Sequence, residues 1–139
     1  MIRPRMIDHI VLRTENIAAM VRFYTKVLGC TVERETRPET GLTQLRAGDS
    51  LVDLVTVDSE LGRAGGDPPS ATGNNLDHFC LQIEDVEEDE LRRWLNRHGI
   101  DTDGFETRYG AQGFGHSLYI KDPDGNTVEL RPETVLPDP

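Results

Sequence analysis

The sequence predicts an α+β protein made of two βαβββ modules in tandem, and three observations carry that expectation. Asp8-His9-Ile10-Val11-Leu12-Arg13-Thr14-Glu15 is echoed by Asp77-His78-Phe79-Cys80-Leu81-Gln82-Ile83-Glu84, with identity at Asp, His, Leu and Glu. Each copy is followed by one stretch of helical apolar spacing, and each helix by three short strand-like runs. The modules are expected at about 6–57 and 76–131 of a single domain, 1–139, with 58–75 as the connection.

The first strand of each module ends at a polar residue suited to opening a helix, Asn16 in one copy and Asp85 in the other. Ile17, Met20, Val21, Phe23, Tyr24, Val27 and Leu28 then form one apolar helix face that Gly29 closes, because glycine enters the left-handed region without strain. The second copy is sparser, with Val86, Leu91, Trp94 and Leu95 ahead of His98-Gly99. Strands follow at 30–36, 42–47 and 50–57, and again at 101–106, 117–121 and 126–131. Turn chemistry marks the joints, in Ala47-Gly48-Asp49-Ser50 and Asp122-Pro123-Asp124-Gly125-Asn126. Segment 58–75 is rich in Gly, Pro and Ser and reads as a mobile connector or a rim of the site.

Composition narrows the function. Fifteen Lys and Arg against 25 Asp and Glu leave a net charge of −10 with no basic stripe, which disfavours nucleic acid and anionic membranes as partners and leaves a small molecule. No apolar run approaches the roughly 18 to 20 residues of a membrane span, and Met1 to Met6 lack the apolar centre of a secretory signal, so a cytoplasmic protein is expected. Cys30 and Cys80 are too few for a disulfide framework and read as buried thiols, with Cys80 an inert thiol rather than a nucleophile.

Strand alternation sorts the candidate residues, since neighbours point to opposite faces. Ile10 and Leu12 turn towards the helix while His9, Val11 and Arg13 turn away; Phe79 and Leu81 oppose His78, Cys80 and Gln82. On the last strands Val52 and Leu54 oppose Asp53, and Val128 and Leu130 oppose Thr127, Glu129 and Arg131. Ser117, Tyr119 and Lys121 oppose Leu118 and Ile120. Such a polar face is either solvated or a functional concavity. The repetition of one pair favours the second: His9 with Asp53, and His78 with Glu129, are two His-plus-carboxylate sets that together would surround one divalent cation. Without Asp53 the set becomes two His and one carboxylate, as in non-haem iron oxygenases.

Other motifs weigh less. Tyr109 to Ser117 is a Gly-rich stretch that lacks the phosphate-binding pattern and reads as a plain hairpin or a flap. His98 ends a helix, where a cation is favoured; Trp94 and Phe23-Tyr24 sit at core spacing; the acidic run 84–90 fits a solvated helix start.

At these residues the chain resembles the vicinal oxygen chelate superfamily, which includes glyoxalase I, bleomycin- and fosfomycin-resistance proteins, methylmalonyl-CoA epimerase and extradiol dioxygenases. The resemblance runs from Ile7 to Arg131 and is strongest at Asp8 to Leu12, Phe23-Tyr24-Thr25-Lys26-Val27-Leu28-Gly29, Leu76-Asp77-His78 and Tyr119 to Leu130. It implies curled mixed sheets enclosing a site for one divalent metal (Ni, Co, Zn, Mn or Fe), commonly in a homodimer. His9, His78 and Glu129 stand at ligand positions, and Asp53 stands where a fourth ligand, usually Glu or Gln, is found. Glu129 and Asp53 would then be the catalytic base and acid, with Arg13, Gln82 and Tyr119 binding substrate. The resemblance points first to a glyoxalase-like lyase or isomerase, with glutathione or another thiol as co-substrate, although Val57 replaces a polar residue of that pocket. The fosfomycin reading lacks a threonine where Val11 stands. Two alternatives remain open: a ring-cleaving dioxygenase, for which His116 is the one spare acid-base candidate, and a protein that sequesters an antibiotic or toxin.

Overall fold

A computed structural model describes residues 1–139, and the chain divides into two compact units, Met1–Asn75 and Leu76–Pro139. In the first, β1 (His9–Thr14) is followed by α1 (Ile17–Arg22), β2 (Thr31–Glu35), β3 (Leu42–Ala47) and β4 (Ser50–Thr56), in the sheet order β1-β4-β3-β2. In the second, β5 (His78–Ile83), α2 (Glu88–Arg97), β6 (Glu106–Gly110), β7 (Gly113–Lys121) and β8 (Thr127–Pro132) give the order β5-β8-β7-β6. These are the two βαβββ modules. Each sheet is open, mixed and four-stranded, its first strand parallel to its last and the other pairs antiparallel.

The apolar alternation does its expected work in the first unit. Leu12, Val52, Leu54 and Leu45 are buried, and Met20, Phe23 and Tyr24 of the helical segment are buried with them. The helix begins at Asn16 without a side-chain capping bond, and past Arg22 it widens into a π-turn, Phe23–Val27. Thr25 marks the change: its hydroxyl donates to the Val21 carbonyl at 2.7 Å, a back-bond that disturbs the regular ladder.

The connection 58–75 is tied down on β1. The Arg13 guanidinium donates to the carbonyls of Gly62, Gly66 and Asp67, at 2.9, 2.7 and 2.9 Å. The Asn75 side chain meets the Arg13 backbone twice, its oxygen accepting from the amide at 3.2 Å and its nitrogen donating to the carbonyl at 3.0 Å. A side-chain amide thus supplies on the free edge of β1 what a neighbouring strand would supply. Ser59, 1 % exposed, receives the Gly62 amide and donates to the Thr56 carbonyl, which starts this segment with a closed turn.

In the second unit Leu118, Ile120, Val128 and Leu130 are buried beside Leu91 and Leu95 of α2. Trp94 is not a core residue: it is 40 % exposed and lies against the rings and cation of its own helix end, His98 at 4.6 Å and Arg97 at 5.5 Å. Only the i, i+4 pair of this short helix is buried, and Trp94 falls on its flank. Asp85 does not cap α2, which starts at Glu87 without a side-chain cap. Its carboxylate instead accepts from the Thr134 amide at 2.9 Å and from the Thr134 hydroxyl, holding the chain after β8.

The largest departure from expectation lies between α2 and β7. The strand expected at 101–106 begins instead at Glu106, because the polar stretch Asp101 to Gly104 takes no regular structure and Gly104 sits at φ +95°. The Gly-rich stretch is the hairpin expected, formed by β6 and β7 and closed at Ala111-Gln112, but β7 starts at Gly113, four residues ahead of the strand expected at 117–121. β7 changes partners midway, pairing with β6 from Gly113 to Ser117 and with β8 from Leu118 to Lys121.

Two expected outcomes follow. Gly41 combines φ +83° with space that a Cβ would fill at 2.3 Å from Ser59, so Gly41→Ala is expected to destabilise the protein by about 1–3 kcal/mol in denaturant unfolding. Hydrogen bonds from Thr134, the hydroxyl first and then the amide, hold the Asp85 carboxyl below its ordinary value. A depressed carboxyl contributes stability above its unfolded pKa and loses it as pH falls through the folded one. A carbon-13 titration should therefore place Asp85 below ordinary aspartates, with Thr134→Val returning it upwards.

Candidate metal and substrate site

The two units repeat one local device. In each, the residue before the strand histidine is an aspartate whose carboxylate accepts a hydrogen bond from that histidine's Nδ1: Asp8 to His9 at 2.8 Å, and Asp77 to His78 at 2.5 Å. An ionised carboxylate only accepts, so the proton sits on Nδ1 and the Nε2 lone pair is left for another partner. Both histidines are exposed enough to use it. The pKa of His9 is raised, first by its hydrogen bond to Asp8; burial opposes this, and the charges of Asp53 and Asp8 each add a smaller raising effect.

Parallel pairing fixes what stands beside each histidine. In β1–β4 the register sets Val11 opposite Asp53, and in β5–β8 Cys80 opposite Glu129. The carboxylates therefore occupy equivalent places, two residues past the histidine on the neighbouring strand. Glu129 reaches His78, with 3.6 Å between Oε2 and Nε2. Two donors each about 2.1 Å from one ion at a tetrahedral angle stand roughly 3.4 Å apart, so this pair fits a shared cation. The other oxygen of Glu129, Oε1, accepts from the Tyr119 hydroxyl at 3.3 Å, and the Tyr119 ring stands edge-on to His78 at 5.9 Å.

Asp53 is held differently. It is 4 % exposed, and the amide of Gln44, opposite it on β3, donates to both oxygens at 3.3 and 3.2 Å. It acts on His9 through its charge rather than through a hydrogen bond. The second unit thus brings one predicted His–carboxylate pair together, His78 with Glu129, whereas in the first no Asp53 oxygen comes within 4.0 Å of a His9 nitrogen, and neither unit gathers three or more His, Cys, Asp or Glu side chains into one cluster.

The remaining candidates divide. Gln82 lines a cavity of about 230 Å³ on the same face, together with Cys80, Tyr109, Gln112, Glu129 and Arg131, and its amide donates to Gln112 at 2.7 Å. Arg13 is committed to three backbone carbonyls, so its guanidinium serves the connection 58–75. Cys80 is exposed rather than buried, yet its thiol is pushed up to about 12 by partial burial and by the adjacent Glu129 carboxylate, which makes it a poor nucleophile. His116 turns away from this face, stacking on Phe105 at 5.5 Å beside a larger concavity of about 610 Å³ at the acidic start of α2.

Sequence reasoning passed over several participants. The roles of Asp8 and Asp77 were signalled by the repeated Asp-His dipeptide, and that of Gln44 by no pattern at all. Arg131 shared a face with Glu129 but reads from sequence as a solvated charge. In the structure it is 8 % exposed, with no carboxylate within 4.0 Å, and donates to the carbonyls of Arg108, at 3.1 Å, and Gly113.

The chain is similar to known proteins. The family model described as the Glyoxalase/Bleomycin resistance protein/Dioxygenase superfamily matches residues 6–130, and the chain belongs to that superfamily. Virulence protein STM3117 of Salmonella typhimurium is 28 % identical over 124 residues, covering 89 % of this chain and 81 % of that protein. Its crystal structure superposes with a TM-score of 0.74 over 96 % of this chain and all of that one. Biphenyl-2,3-diol 1,2-dioxygenase 3 of Rhodococcus globerulus is 32 % identical over 133 residues, 94 % of this chain but 64 % of that protein. A lactoylglutathione lyase from Agrobacterium tumefaciens shares the fold at a TM-score of 0.66 and 22 % identity, over 94 % of this chain and 95 % of that one.

The state of Cys80 is open to a direct check. At pH 8 a thiol with a pKa near 12 is about a thousandfold less ionised than an unperturbed one, so metal-free protein should react with a disulfide reagent at Cys80 far more slowly than glutathione does. Rapid stoichiometric labelling that Cys80→Ser abolishes would contradict it.

Proposed function

We propose that the protein is a metal-dependent enzyme acting on a small substrate that presents two neighbouring oxygens, by a lyase or isomerase step in which a proton moves at a carbon beside a carbonyl. The observation that carries this reading is the doubled Asp–His device, with Nε2 of His78 3.6 Å from Glu129 on the parallel neighbour strand and His9 in the field of the Asp53 charge. His9, His78 and Glu129 would hold the ion, with Asp53 as fourth ligand. When bound, a divalent ion supplies Lewis acidity to the substrate oxygens.

The chain's own residues do the rest. Asp8 and Asp77 lock the imidazole tautomers, and the Tyr119 hydroxyl holds one oxygen of Glu129 while the other faces His78. Glu129 is the group placed to take the proton. The Gln44 amide keeps Asp53 from turning, so its part is to hold charge near His9. Glutathione finds little support here as co-substrate, since the Arg13 guanidinium is occupied by three backbone carbonyls.

Ring-cleaving dioxygenation is the second reading. It is favoured by the 32 % identity to a biphenyl-diol dioxygenase and by the phenol of Tyr119 against Glu129.

Elemental analysis of protein purified without chelators tests the proposal. About one metal per complete site is expected, lost in His78→Ala and weakened roughly 10- to 100-fold in Asp77→Asn, which removes the orienting carboxylate alone. Protein that takes up none of Ni, Co, Zn, Mn or Fe would sink the reading. Iron with oxygen consumption on catechols would move dioxygenation to the front.

A further inference from the structure

We propose that Arg131 is the anchor of an anion subsite in the second unit, and that the group it binds is the carboxylate of a small organic acid. The argument begins with a buried charge that lacks a counter-charge. Arg131 as a residue is 8 % exposed, its guanidinium hydrogen bonds go to the carbonyls of Arg108 and Gly113, and no carboxylate lies within 4.0 Å. Neutral carbonyls orient a guanidinium but do not repay the removal of its charge from water. An unpaired buried cation is costly to retain for structure alone, since tying a hairpin to its sheet needs no charge.

The sequence also gives up side chains to make room for it. A Cβ at Gly110 would stand 2.9 Å, and one at Gly115 2.8 Å, from guanidinium atoms of Arg131. These glycines line the two strands of the β6–β7 hairpin where β7 has left β8, and the guanidinium fills the space between them. Held from behind by two carbonyls, the planar group borders the cavity of about 230 Å³ that Gln82 and Gln112 also line. A guanidinium with fixed orientation and spare N–H groups matches the two oxygens of a carboxylate.

Glu129 borders the same cavity and sets the polarity of the ligand. Its oxygens face His78 and Tyr119, so an incoming carboxylate is repelled from that end and drawn to the end formed by Arg131, Gln82 and Gln112. The volume limits the ligand as well. It is below the about 300–1,000 Å³ typical of sites for drug-sized molecules, which fits an acid of a few carbons and not a tripeptide adduct. Placing the substrate's reacting oxygens beside His78 and Glu129 rests on the metal reading above; the anion subsite itself does not.

The test is run in EDTA at constant ionic strength, so that it is independent of metal. Propionate, benzoate and inorganic phosphate are titrated into the full-length protein while the Arg131 Nε–H and the Gln82 and Gln112 side-chain amides are followed by NMR. The carboxylates are expected to give saturable shifts confined to these groups. Affinity should fall about tenfold or more in Arg131→Lys, which keeps the charge but loses the fork. Gln112→Leu, at the exposed hairpin turn, should weaken binding without moving the melting temperature, and it serves if the Arg131 variant does not fold. No saturable shift, or equal affinity in the variants that fold, would overturn the subsite. Binding of phosphate alone would overturn its assignment to a carboxylate. Metal uptake is measured separately, on the same proteins purified without EDTA: loss of acid binding with normal metal uptake is the expected result for the variants, whereas wild-type protein that binds acids but takes up no metal overturns the metal reading and leaves the subsite standing.

Discussion

Parallel pairing between the first and last strands of each unit is the constraint on which the site depends. A parallel neighbour cannot be reached by a tight turn, so a helix and two further strands intervene before the chain returns. That return fixes the register, setting Val11 opposite Asp53 and Cys80 opposite Glu129. Because side-chain direction alternates with a period of two, a slip of one residue would send both carboxylates to the opposite face, into the apolar layer of Val52, Leu54, Val128 and Leu130. The hydrophobic layer therefore enforces the chemistry of the other face. The Asp122–Asn126 turn adds to this between β7 and β8: Asp122 Oδ1 accepts from the amides of Asp124 and Asn126, both at 2.9 Å, keeping Glu129 level with Tyr119.

The two units are alike in backbone and unlike in what they do with their carboxylates. Glu129 reaches its histidine, whereas Asp53, a methylene shorter, is retained by the amide of Gln44. The Asp–His device stands on both first strands, while of the two carboxylates Asp53 is the more buried and the more restrained. The same asymmetry appears in the arginines. Arg13, on the first strand, organises the connection 58–75, while Arg131, on the last strand, faces a cavity without an acidic partner.

What the sequence made legible is what a two-residue or 3.6-residue period writes into it. Leu12, Leu54, Val128 and Leu130 alternate with polar residues, so the inner strands, their faces and the histidine–carboxylate pairs could be placed from sequence. β6 could not, because Glu106, Thr107, Arg108 and Tyr109 are all exposed on an edge strand and no face is buried to leave a pattern. Trp94 misled for the converse reason: helical spacing says which residues share a face, and only burial of Leu91 and Leu95 says where that face ends. Arg131 escaped notice because patterning treats a charge as solvated. Its burial was recorded only in the absence of side chains at Gly115 and Gly110, one and two strands away.

Every strand pairing of this chain closes within its own half. The entropy of closing a loop rises with the length of chain between the partners, and folding rates fall as contacts become more distant in sequence. A protein of this length that wove its two sheets from interleaved strands would have to search for partners across the whole chain before any parallel pair could form. Here the search is confined to one half at a time. A nascent chain can complete the first sheet, with its His9–Asp53 side already sorted, before the last strands have been synthesised.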